Sequence, residues 1–193
     1  AVGRIRYKDL DGDGVINETY DRTWIGCSDP DFFGGITFDF AYKGFDLNVF
    51  FDGVFGNDVH NCWRQERDVW LFTNPAWKNH PSAMLDAWMP DNPGSDIPAI
   101  TNNKTNNEQR FSSQFIENGS FIKLRNMELG YTFPDKIAKK MYMSNLRVYV
   151  SGENLLTMKK TWGKDAFTSI DPEDRDYGYL RPITVNFGIN ATF

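Results

Sequence analysis

"LRPITVNFGINATF", residues 180–193, alternates apolar and polar side chains up to the carboxyl end of the chain. Ile183, Val185, Phe187, Ile189, Ala191 and Phe193 share one face, and Thr184, Asn186, Gly188, Asn190 and Thr192 share the other. A period of two is the signature of a β-strand, because successive side chains leave opposite sides of the pleat. A strand that is apolar on one side, polar on the other and ends on an aromatic fits the closing strand of a transmembrane β-barrel, with lipid outside and lumen inside. The competing reading is the edge strand of a soluble sandwich.

Composition agrees with interleaved strands. The 193 residues hold sixteen Phe, eight Tyr and six Trp, or 16% aromatics, at a mean hydropathy of -0.52. Apolar and polar residues are therefore finely mixed, as barrel strands require. No apolar run approaches the ~18 residues of a membrane helix. The net charge of -5, with Lys and Arg scattered, excludes a nucleic-acid partner, which needs clustered cations. The first residue is Ala1, without an initiating Met or a signal peptide, so the chain is expected to be a mature or internal fragment. Two cysteines make neither a zinc site nor a disulfide framework.

Four more alternating runs precede the last one. Ile36, Phe38, Phe40 and Tyr42 oppose Thr37, Asp39 and Ala41, and Phe45, Leu47, Val49, Phe51, Gly53 and Phe55 oppose Asp46, Asn48, Phe50 and Asp52. Lys43-Gly44 between them reads as a tight hairpin turn that faces Tyr42 with Phe45. Met127, Leu129, Tyr131 and Phe133 oppose Asn126, Glu128, Gly130 and Thr132 in a run that starts at Phe121 and that Pro134 ends. After a helix-compatible segment, Asp135 to Met143, a fourth run extends from Leu146 to about Leu156.

The connections alternate in length. Residues 1–30 read as an Asp-rich extracellular loop, 31–55 as a hairpin, 56–120 as a long extracellular loop with a short helix near Pro81 to Trp88, and 121–193 as the last three strands. Outer-membrane barrels have short periplasmic turns and long extracellular loops, and every connection falls on the side that its length requires. The expected class is all-β: five antiparallel strands of a larger barrel, since about eight is the smallest number that closes. Further strands are expected upstream or in a partner chain.

The stretches "RYKDLDGDGVIN", "DRTWIG", "YKGFDLNVFFDGVFGNDV", "FIENGSFIKLRNMELGYTFP", "LRVYVSGENLLT" and "VNFGINATF", in this order and covering essentially the whole chain, resemble the carboxyl-terminal end of a SusC/RagA-type TonB-dependent outer-membrane transporter. The resemblance implies a barrel of about 22 strands, and a bacterial outer-membrane location surrounded by lipid. It also implies a plug domain absent from this chain, coupling to the TonB complex through that missing amino-terminal part, a SusD/RagB-like surface lipoprotein partner, and active uptake of oligosaccharides or peptides.

The residues themselves raise four local expectations. In "DLDGDGVIN", Asp9, Asp11, Asp13 and the Val15 carbonyl occupy the first, third, fifth and seventh places of a calcium loop, with Gly14 at the sharp turn. Tyr20 stands where the closing carboxylate belongs, so Asp21 one place later, or Glu18, is the expected closing ligand, and calcium the expected cofactor. Trp63, Trp70, Trp77 and Trp88 offer stacking faces for sugars, or packing for the loop itself. With the hairpin ladder extended, Cys27 projects opposite His60 and Cys62 opposite Ile25, and loosening of the ladder at Pro30 and Gly56 is expected to close this offset to disulfide distance in an oxidising compartment, the alternative being two free thiols. Asp39, Asp46, Asp52, Glu128, Arg147 and Glu153 line the lumen as a polar wall. No nucleophile with a paired base is present, so no enzymatic activity is expected. The alternative function is a secreted calcium-binding β-domain, an adhesin or carbohydrate-binding module. It differs on one point: Phe45, Leu47, Val49, Phe51, Val185, Phe187 and Ile189 would then lie beneath a second layer instead of facing lipid.

Overall fold

The computed structural model describes residues 2–69, 82–101, 106–163, 165–173 and 179–193. In chain order the strands are β1 (Phe32–Tyr42), β2 (Phe45–Phe55), β3 (Asp58–His60), β4 (Ile116–Asn118), β5 (Phe121–Thr132), β6 (Asn145–Lys159) and β7 (Thr184–Thr192), and the helices are α1 (Cys62–Asp68) and α2 (Asp135–Lys140). The five alternating runs are β1, β2, β5, β6 and β7. They form one antiparallel sheet in the order β1-β2-β5-β6-β7, while β3 and β4 pair separately.

Hairpin register follows from the turn. Tyr42 pairs with Phe45 and the ladder continues without a slip to Phe32 and Phe55. Lys43 (φ 49°) and Gly44 (φ 88°) both take the left-handed region that a two-residue hairpin turn with the sheet's twist demands. Gly44 is needed for a second reason: a Cβ there would lie 2.8 Å from the Thr132 carbonyl oxygen. β1 starts four residues before the first alternating apolar residue, because Gly34 and Gly35 pair with Gly53 and Asp52 without showing an apolar pattern.

Register also aligns whole rows across the sheet. Asp39, Asn48, Glu128, Ser151 and Asn186 are successive partners, and the next row on the opposite face is Phe40, Leu47, Leu129, Val150 and Phe187. One face is therefore polar and the other apolar. The apolar face is uncovered: Phe45 is 53% exposed, Phe187 83% and Ile189 70%. No second layer covers it among the described residues, as the secreted-domain reading would require. Both β1 and β7 keep an open edge, and five strands are too few to close.

The chain divides into two compact units. Among the described residues, one holds 27–59, 118–163, 165–173 and 179–193, hence the sheet; the other holds 2–26, 60–69, 82–101 and 106–117. The Asp-rich segment and the long connection, which the sequence presents as separate loops, thus belong to one unit. Arg4 Nη2 meets Glu108 Oε2 at 2.6 Å, with Arg4 and Glu108 side chains 9% and 2% exposed. The Ile5 N–H donates to Glu108 Oε1 at 3.0 Å, and Asn106 Nδ2 donates to the Ile5 carbonyl at 2.8 Å. This unit also contains α1, whose start is capped by Asn61 Oδ1 accepting from the Arg64 N–H at 2.9 Å. Alternation gave no sign of this helix. The expected helix near 81–88 is a 3-10 turn, Ser82–Asp86.

Candidate functional site

The polar face of the sheet is held together by charge pairs. Arg147 on β6 spans three strands: it reaches across β5 to bond Asp46 of β2 through both Nε and Nη2, and its Nη2 lies 2.7 Å from Glu128 Oε1 of β5. Asn48 Nδ2 donates to Asp39 Oδ1 at 2.6 Å. Alternation placed Asp39, Asp46, Glu128 and Arg147 on one face, and the last three meet there.

Counted back from Met127, period two would put Arg125 on the apolar face, and the structure does not. The β2–β5 register slips between Phe50 and Phe51, and the β5–β6 register slips over the same place, between Leu124 and Asn126. Arg125 is the extra residue of this bulge, which re-aims its side chain. Its Nη2 lies 2.5 Å from Asp52 Oδ2 and 2.9 Å from Glu173 Oε1. Lys123, only 2% exposed, completes the cluster, with Nζ 2.7 Å from Asp171 and 2.6 Å from Glu173. A buried ammonium is tolerated only when paired in this way. Burial pushes the Glu173 carboxyl up, but Arg125 and Lys123 outweigh it and hold it at about 2. The segment after β6 is thereby fastened to the polar face. Lys159 Nζ adds bonds to the Ser169 and Ile170 carbonyls.

In the acidic loop, Asp9, Asp11 and Asp21 bring one carboxylate oxygen each within 4.8 Å of one another. Asp9 accepts the Gly12 and Gly14 N–H groups at 2.7 and 2.8 Å, and Asp21 accepts those of Leu10 and Asn17, both at 2.7 Å. The Gly14 and Gly12 N–H groups hold the Asp9 carboxyl below its ordinary value. The Asp13 N–H draws Asp11 down, yet desolvation and the charges of Asp13 and Asp21 outweigh it and raise Asp11. Asp13 itself accepts the Val15 N–H at 2.7 Å, and the Val15 carbonyl accepts Asn17 Nδ2 at 3.5 Å. Of the residues expected to bind calcium, Asp9, Asp11 and Asp21 are thus gathered, while Asp13 and Val15 are engaged in the turn. Three anionic oxygens in one loop suit a hard divalent cation.

The tryptophans differ among themselves. Trp63, on α1, is exposed, and Trp88 is half-buried with its indole against Gly3, where a Cβ would meet Cδ2 at 2.5 Å. Trp70 and Trp77 lie outside the described residues.

The cysteines are free thiols, and the expected disulfide is not formed. The β1–β2 ladder ends at Phe55, and Gly56 turns at φ 82°. Beyond it the Asp58 N–H donates to the Cys27 carbonyl at 2.7 Å, and the Cys27 N–H to Asp58 Oδ2 at 3.0 Å. Cys27 therefore aligns with Asp58 and not with His60. Cys62 opens α1, with Sγ 3.4 Å from His60 Nδ1.

Comparison with known proteins places this architecture. No family model matches the chain. TonB-dependent receptor P3 of Formosa agariphila is 34% identical over 197 residues, covering 97% of this chain and 19% of the receptor. TonB-dependent receptor P26 of the same organism is 31% identical over 209 residues, covering 100% of this chain and 20% of the receptor. The RagAB peptide importer in its open-open state superposes with a TM-score of 0.68 at 25% identity, over 97% of this chain and 20% of that one. The chain spans about a fifth of the length of the curated relatives it matches. With the uncovered apolar face, the ion-paired polar face and the open edges of its sheet, this chain belongs to the SusC/RagA-like TonB-dependent receptors, as a carboxyl-terminal part forming a partial barrel.

Proposed function

We propose that this chain is part of the wall of a bacterial outer-membrane transporter that takes up oligosaccharides or peptides at the expense of TonB-delivered energy. The observation that carries the proposal is the two-faced open sheet: an apolar face with Phe187 83% exposed suits lipid, and a polar face braced by Arg147 and Arg125 suits an aqueous lumen. A SusD/RagB-like surface lipoprotein would hold substrate above the barrel, and segments outside this chain would contact TonB. The chain's role is passive and non-enzymatic: it shapes and lines the passage. Trp63 and Trp88 are proposed as contacts for substrate or for the lipoprotein.

The test is deletion of the full-length gene in the bacterium that carries it, followed by uptake of fluorescent oligosaccharides and fluorescent peptides, with and without a functional TonB. TonB-dependent loss of one class supports the proposal and names the substrate. Unchanged uptake and growth on both classes overturns it.

A second reading concerns the loop of Asp9, Asp11 and Asp21. We propose that it binds calcium, on the strength of three carboxylates within 4.8 Å. The ion would stiffen an extracellular loop and take no part in transport chemistry.

A further inference from the structure

The sheet ends, at its short-turn side, in a collar of exposed aromatics and lysines. Tyr42, Phe45, Tyr131, Val148 and Ile189 are the last complete row of the apolar face, with Tyr42 71% and Phe45 53% exposed. Aromatic rows of this kind mark the level where hydrocarbon gives way to headgroups. Just beyond the row stand Lys43, in the β1–β2 turn, and Lys136, Lys139 and Lys140, on α2, all exposed. The two turns are neighbours, since the Thr132 N–H donates to the Gly44 carbonyl at 2.8 Å, three residues before α2 begins. Among the described residues, none of these four ammonium groups has a carboxylate partner. The acid group on the same helix is Asp135, in its first turn.

Lys43 also has a direction. Its Nζ lies 5.1 Å from the centroid of Tyr42, a ring on the apolar face, so the charge rides on the outward side of the turn. On α2 only Ala138 is buried, while Ile137 and Met141, one turn apart, are 44% and 50% exposed beside the lysines. Tyr142 follows at 90% exposure and holds a left-handed backbone (φ 60°), as Lys43 does. That backbone closes α2: the Tyr142 N–H donates to the Lys139 carbonyl at 3.2 Å and the Met143 N–H to the Ala138 carbonyl at 3.0 Å. The cap leaves the Tyr142 ring projecting into the surroundings beside the lysines.

We propose that this end of the sheet is an anionic-phospholipid clamp. Lys43, Lys136, Lys139 and Lys140 bind headgroup phosphates of the adjoining leaflet, and Ile137, Met141 and Tyr142 enter its acyl boundary. The proposal rests on the barrel reading and adds to it a lipid class and a set of residues. Charge complementarity favours phosphatidylglycerol over zwitterionic lipid, and the collar is continuous with the apolar face. An interfacial amphipathic segment needs both features.

The experiment uses the full-length receptor reconstituted in vesicles of phosphatidylglycerol mixed with phosphatidylcholine, one lipid or the other brominated in the upper acyl chain. Tyr142→Trp and Phe187→Trp are read by the quenching they add to the native emission. Phe187→Trp should be quenched by either brominated lipid, because it reports only the barrel wall. Tyr142→Trp should be quenched more by brominated phosphatidylglycerol. That preference should fall about fivefold for each lysine removed at low ionic strength, and vanish in the Lys43→Gln, Lys136→Gln, Lys139→Gln, Lys140→Gln background. Equal quenching of Tyr142→Trp by both lipids overturns the anionic preference, and no quenching at all means that a protein surface covers α2. If Phe187→Trp is also unquenched, the barrel reading falls first.

Discussion

Arg125 and Glu173, 48 residues apart, form a two-point ion pair: Nη1 donates to Oε2 at 3.0 Å and Nη2 to Oε1 at 2.9 Å. The pair ties the segment that follows β6 to a bulge in the middle of the sheet. Because the Glu173 carboxyl is lowered from 4.5 to about 2, its stabilising effect is complete above about 4.5 and fades as the pH falls toward 2. Hydrogen exchange across 166–173, corrected for intrinsic rates, should stay constant from neutral pH to about 5 and then rise. Glu173→Gln should raise exchange at every pH and remove this dependence, at a cost of about 1–3 kcal/mol. Protection that persists unchanged down to pH 2 in the native protein would show that the pair is not the fastening.

Arg4→Ala should be more damaging than an ordinary surface change. It leaves Glu108, whose side chain is 2% exposed, as an unpaired buried charge, a situation that costs about 3–5 kcal/mol. Burial alone would raise the Glu108 carboxyl, and Arg4, the Ile5 N–H and Asn106 reverse that. Limited proteolysis should therefore open both 2–26 and 106–117 together in the variant. Cleavage confined to the amino-terminal stretch would mean that the two segments fold independently.

Calcium binding predicts a local response. Chelation should expose the 9–21 loop to protease, and Asp11→Asn with Asp21→Asn should reproduce that exposure and abolish calcium uptake in calorimetry of the full-length receptor. Heat-modifiability of the barrel should not change in either case. Identical proteolysis with and without chelator would leave the loop as a set of Asp-capped turns and nothing more.

The two faces of β7 should respond oppositely to the same charge. Phe187→Lys places an ammonium on the exposed apolar face one apolar row above Ile189, at a cost between the ~0–1 kcal/mol of the interface and the ~2–4 kcal/mol of the midplane, and should lower the amount of folded receptor in the membrane. Asn186→Lys, one residue away on the polar face beside Ser151, should be near neutral. Equal loss from both variants would argue against lipid on one side and water on the other.

Alternation did not show β3, β4 or the Gly34-Gly35 start of β1, but alone it determined the five strands of the main sheet, the hairpin turn and the division into an apolar and a polar face. These are local properties, since period two is set within each strand and a two-residue turn fixes the register of the strands it joins, here from Tyr42–Phe45 to Phe32–Phe55. The carboxylates Asp9, Asp11 and Asp21 were legible for the same reason, lying within thirteen residues of chain. What only the tertiary structure decided are relationships without a local period. The bulge at Arg125 depends on its neighbours in β2 and β6, so parity counted along β5 cannot reveal where its side chain goes. The extrapolated Cys27–Cys62 alignment failed because a ladder's register holds only while the ladder lasts, and Gly56 ends it. Arg4 with Glu108, Arg125 with Glu173 and Lys123 with Asp171 are joined across 104, 48 and 48 residues. Their charges were visible in the sequence, but ion pairing acts over a few ångströms, and the path of the backbone chooses which charges come that close.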